Sequence, residues 1–156
     1  MSKQLIEIQG FEKLTAKLKQ LPDRVKRAEL LKIYGQVANP TVLAARALAP
    51  KSDKPHHQGG KRTKKLIQPG NLKRSIGKII GKRGLGKENA VLYVGPRSKG
   101  RKDDGWYGAM VHDGTVKQAA QPFMKKAYDQ TAGLVSADAE QKVTNYLQKQ
   151  IDRLLR

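Results

Sequence analysis

At 156 residues, with 38% apolar and 5% aromatic composition, the chain is sized for one domain around a small aliphatic core. It has no cysteine, which excludes disulfides and thiolate metal sites and suits a reducing cytoplasm. No run approaches the ~18 consecutive apolar residues of a membrane helix, and the start, MSKQLIEIQG, lacks the pattern of a signal peptide.

Thirty-two Lys and Arg against 13 Asp and Glu give a net charge of +19. Such an excess points to anionic company: nucleic acid, anionic lipid or an acidic protein surface. The charge is concentrated, because residues 51–104 hold 16 Lys/Arg and 4 Asp/Glu, or +12.

In chain order, QLIEI (4–8) reads as a short strand ended by Gly10. Phe11, Leu14, Leu18 and Leu21 then form one helical stripe. Pro22 and Asp23 start a second helix that runs to about Ala49, and Pro40 inside it is expected to kink it or break it in two. Residues 50–70 are long, polar and basic, and read as a mobile arm. NLKRSIGKII (71–80) reads as a helical turn or lead-in running into a strand. Through the glycine-rich link 81–88 it pairs with the strand NAVLYVGP (89–96). A second basic loop spans 97–105, and WYGAMVHDGT (106–115) is expected as the next strand, closing in a turn at Asp113, Gly114 and Thr115. After a loop at 116–121, Pro122 opens a last helix whose stripe keeps phase from Met124 to Leu154 across Gly133. At 1.5 Å per residue it would be roughly 50 Å long. The expected fold is α+β: a small antiparallel sheet, a three-stranded meander plus the N-terminal strand, packed against a kinked helix and a long C-terminal helix. The proximal stripe of the last helix is expected on the sheet. Its distal stripe, Val143, Leu147, Ile151 and Leu154, is then left for assembly.

Chemistry finds little support. His112 is the one histidine outside the arm, and on a strand its neighbour Asp113 would point to the opposite face. His56 and His57 have only Asp53 nearby, which is no zinc or calcium spacing. Asp103 and Asp104 lack a companion acid for Mg²⁺, and GKRGLGKE matches no phosphate-binding loop. No metal or cofactor is expected. The basic loops are the stronger candidates: Lys61, Arg62, Lys64 and Lys65 in the first, Arg97, Lys99, Arg101 and Lys102 in the second. They could neutralise phosphates, yet no aromatic is interleaved to stack on bases. Docking on an acidic protein is the competing use.

Six segments occur in an order that resembles the neck, or tail-completion, protein family of long-tailed bacteriophages and prophages. They are IEIQGFEKLTAKLKQLP, AARALAP, GNLKRSI, YVGP, WYGAMVHDGT and QPFMKKA, covering most of the chain to about residue 130. The basic insertions at 51–69 and 97–105 depart from the family's pattern, so no role for them is inherited, and His112 and Asp113 stand where an acid and an aromatic are usual. The resemblance implies a single non-enzymatic domain over 1–156. It also implies a virion protein, assembled in the bacterial cytoplasm, in a homo-oligomeric ring (a hexamer rather than a dodecamer). Its partners would be neck, head-closure and tail proteins, with packaged DNA in the channel a further one, and it would have no membrane contact. A basic nucleic-acid-binding protein acting without a virion is the alternative.

Overall fold

The computed structural model describes residues 23–58, 64–82, 90–98 and 103–155. The expected strand at 4–8 and helix at 11–21 lie outside the described residues. Nine elements follow: α1 (Asp23–Val37), α2 (Asn39–Leu48), β1 (His56–Gln58), β2 (Lys65–Ile67), α3 (Asn71–Ser75), β3 (Ile76–Ile80), β4 (Leu92–Pro96), α4 (Gly108–Asp113) and α5 (Phe123–Leu155). The fold is α+β.

The expected break at Pro40 is present. Proline sits in the first turn of α2, where its missing N–H costs least. The chain barely deviates there, since Ala38 N–H donates to Tyr34 O and Val42 N–H to Ala38 O. The small residues of α2 then let α5 approach closely, and this helix pair is the most extensive packing among the described elements. Thr131 Oγ1 donates to Ala127 O at 2.8 Å, so its 2.8 Å contact with Thr41 Oγ1 has Thr41 as donor, pinning α2 to α5. The last helix therefore rests first on α2, not on the sheet as expected, because alanine spacing on α2 offers the closer seat.

Among the described residues the sheet is smaller than a meander. β3 and β4 pair antiparallel, Ile76 opposite Pro96 and Ile80 opposite Leu92, as the hairpin reading required. A separate pair, β1 with β2, sits within the supposed arm, with His56 opposite Ile67. The arm is thus ordered at both limbs by Ile67, which is buried in the domain's own core.

WYGAMVHDGT is not a strand. Its centre is the helix α4. Tyr107 and Val111, four apart, are buried, while Met110 is exposed, a helical and not an alternating pattern. Gly108 permits the seat: a Cβ there would lie 2.5 Å from Pro96 Cγ at the end of β4. The core gathers Ala45, Ala49, Leu72, Ile76, Phe123 and Ala127 around this helix and β3. Arg46 closes it at one edge, with Nε and Nη2 donating to Ile76 O at 3.1 and 2.9 Å.

Candidate functional site

The turn after α4 forms as expected. Gly114 has φ +82°, and a Cβ there would meet Ala120 N at 2.8 Å. Thr115 N–H donates to Gln118 O and Gln118 N–H to Thr115 O, which closes residues 115–118 into a tight loop. Gln121 N–H returns to Val111 O and brings the chain to the start of α5.

The helical geometry overturns one expectation: His112 and Asp113 do touch. Nδ1 lies 2.7 Å from Asp113 Oδ1, and the imidazole stands edge-on to Phe123 at 5.7 Å between ring centres. Ser98 lines the same surface hollow. Yet His112 Nε2 is buried without a hydrogen-bond partner, so it holds no serine hydroxyl. The pair lies at the α4–α5 junction, its imidazole packed edge-on against Phe123.

The acids of the second basic loop have a role the sequence does not advertise. Asp104 accepts from Trp106 N–H at 3.1 Å and pairs with Lys65 at 3.2 Å. Its backbone oxygen accepts from Asn71 Nδ2 at 2.8 Å, and the same amide donates to the Tyr107 hydroxyl at 3.1 Å. Asp103 pairs with Arg74 at 2.8 Å. The loop thus clasps β2 and α3 together. Burial pushes the Tyr107 hydroxyl above its ordinary pKa, against the hydrogen bonds from Asn71 and Leu72 and the positive charge of Arg74, which oppose the rise. The separation of Lys65 from Asp104 in sequence explains why no local motif revealed the clasp.

The expected basic site is therefore divided. Lys65 is engaged with Asp104, and Arg97 Nε donates to Ser75 O at 3.0 Å. Lys64 is exposed, as are His56 and His57 across the hairpin. Lys61, Arg62, Lys99, Arg101 and Lys102 lie outside the described residues. Among the described residues no group of three or more His, Asp or Glu could hold a metal ion, and no helix is long and apolar enough to cross a membrane.

Neither family models, curated proteins nor solved structures match this chain. Its own surfaces must carry the functional reading.

One such surface is the distal part of α5. Phe123, Ala127 and Thr131 are buried, but from Ala132 to Arg153 no side chain is. Val143 and Ile151 are half-buried and Leu147 is exposed; the side chain of Leu154 lies outside the described set. Tyr128 and Leu134 are likewise exposed. Tyr146 and Lys149 face a shallow hollow shared with Glu29 and Ile33 of α1. The helix is supported along its length by Lys125–Asp129, Asp138–Lys142 and Gln148–Asp152 contacts at i, i+4.

Proposed function

We propose that this chain is a structural virion protein of a long-tailed bacteriophage, forming a ring at the head–tail junction or top of the tail and completing tail assembly. The observation that carries the reading is α5, a 33-residue helix in which, among the described residues, no side chain beyond Thr131 is fully buried. A helix about 50 Å long is more than this domain needs for itself, and an oligomeric ring supplies the missing cover. The ordered six-segment resemblance names the kind of particle. The localisation that follows is the virion, after assembly in the bacterial cytoplasm, with neck, head-closure and tail proteins as neighbours. No catalytic step belongs to this role, and His112–Asp113 serves the α4–α5 junction. A hexameric ring is the expected copy number.

A second reading has one observation in its favour. The β1–β2 hairpin presents Lys64, His56 and His57 to solvent in a chain of net charge +19, a surface suited to phosphate contacts in a basic DNA-binding protein. The two readings separate by imaging. Particles purified from the phage that encodes the chain should show it as a closed ring between head and tail. Particles that lack it, together with a salt-sensitive shift of free duplex DNA by the isolated protein, would favour the second reading.

A further inference from the structure

Four stretches of chain, 50–56, 68–72, 107–111 and 118–121, meet around a cavity of about 180 Å³. Its floor is buried and comes from Asn71 and Leu72 of α3, Tyr107 just before α4, and Val111 within α4. Its rim is exposed and polar, with Lys51, Gln68, Gln118 and Gln121. No carboxylate lines it.

The floor holds hydrogen-bonding capacity that the fold does not use. The Tyr107 oxygen accepts from Asn71 Nδ2 at 3.1 Å and from the Leu72 backbone. Its own O–H proton therefore has no acceptor among the described residues, although a buried phenol ordinarily finds one. The rim repeats the pattern. Asn71 N–H donates to Gln68 O, Thr115 and Gln118 close their loop, and Gln121 N–H donates to Val111 O. Three glutamine backbones are thus fixed, while their side-chain amides bond nothing among the described residues. Lys51 likewise has no carboxylate partner there.

O–H, amide N–H and ammonium donors bind an ionised acceptor most strongly, so an acid-free cavity furnished with them selects an anion. Pro50, Leu72 and Val111 add an apolar wall. That wall suits an aliphatic stem and penalises a tetrahedral oxyanion, which is polar on every side. The volume lies below the ~300–1,000 Å³ of sites for drug-sized ligands, which leaves no room for a nucleotide. We propose that this cavity binds one carboxylate group on a short aliphatic stem, with the Tyr107 hydroxyl, Lys51 and the amides of Gln118 and Gln121 as its donors. A free small acid and an Asp or Glu side chain of a neighbouring protein offer the same group. The inference is independent of the virion role.

An NMR titration of the full chain with sodium butyrate tests it, against sodium chloride at equal ionic strength. Butyrate should shift the Gln118 and Gln121 side-chain amides and the Leu72 backbone amide saturably, and chloride should not. Inorganic phosphate should bind about 10-fold more weakly, because the apolar wall opposes it. Tyr107→Phe should weaken butyrate binding about 10-fold, the loss of one hydrogen bond to a charged group. Should that variant fail to fold, two exposed lysines decide. Lys51→Ala should weaken binding about 3-fold. Lys54→Ala removes the same charge outside the cavity and should leave binding unchanged. A glutamate blocked at both backbone ends then separates the sources. Binding as tight as that of butyrate assigns the site to a side chain of a neighbouring protein, and its exclusion assigns the site to a free acid. Shifts that do not saturate, phosphate binding as tightly as butyrate, a folded Tyr107→Phe chain with unchanged affinity, or equal effects of the two lysine substitutions would each overturn the proposal.

Discussion

The two ends of α5 are built on opposite terms. At the proximal end Phe123, Ala127 and Thr131 are 2%, 0% and 9% exposed, and the Thr41 hydroxyl fastens the helix to α2. Beyond Thr131 the helix continues for more than twenty residues without burying one described side chain. Leu134 and Leu147 there are open to solvent, while Val143 and Ile151 are half-buried. Only the first end contributes to the described core cluster. The second is held by helix propensity, i, i+4 pairs and whatever covers it, so stability and assembly should respond to different halves of one element.

Substitutions at the two ends should differ most. Phe123→Ala removes a ring packed against His112 and the core, and should cost about 3–5 kcal/mol in chemical denaturation. Leu147→Ala, on an exposed site, should cost no more than about 0.5 kcal/mol. Similar losses at both sites would mean that the distal half also belongs to the folding core.

Between those ends, the turn that delivers the chain to α5 offers the next largest effect. Gly114→Val places a β-branched residue at φ +82° with its Cβ against Ala120 N. It should destabilise the domain by about 1–3 kcal/mol and shift the start of α5. His112→Ala removes a half-exposed contact with exposed Asp113, and should leave thermal melting close to that of the unaltered chain. A well-folded His112→Ala protein that has lost all function would instead restore a catalytic role to the pair.

A smaller effect tests the clasp. Because burial raises the Tyr107 hydroxyl above its ordinary 10.0, the folded chain holds that proton more tightly than the unfolded one. This contribution is complete below pH about 10 and is lost as pH climbs through the folded value. Denaturation midpoints should fall less steeply above pH about 10 in Tyr107→Phe than in the unaltered chain. Equal slopes would mean that the hydroxyl is not held neutral by burial.

What could be read from the sequence tracks how much of the information is local. α5 was legible because its stripe repeats at three- or four-residue spacing from Met124 to Leu154, and the β3–β4 hairpin because VLYV is rich in β-branched and aromatic residues between turn signals. The break at Pro40 follows from proline alone. The errors arose where tertiary contacts decide. α4 has only six residues, too few for periodicity to overrule the strand-like composition of WYGAMV, although Tyr107 and Val111 carried the helical spacing. β1 and β2 are three residues each and are anchored by Ile67 in a distant core, which made their surroundings look like an unstructured arm. The Asp104 clasp joins four parts of the chain and leaves no local signature. The basic residues were legible as charge, but not as Lys65 and Arg97 bound internally and Lys64 left exposed.

The smallest expected effect on stability belongs to the truncation that bears most on function. Residues 143–156 contribute no described buried side chain, so the chain ending at Lys142 should stay soluble and melt close to the full chain. It should fail in assembly. The direct measurement is complementation: supply the phage that encodes the protein with the truncated chain in place of the full one, and count particles whose heads carry tails. We expect tails and heads to accumulate unjoined, beside a folded truncated protein. Joined, infectious particles at the normal titre would contradict the assignment of distal α5 to assembly.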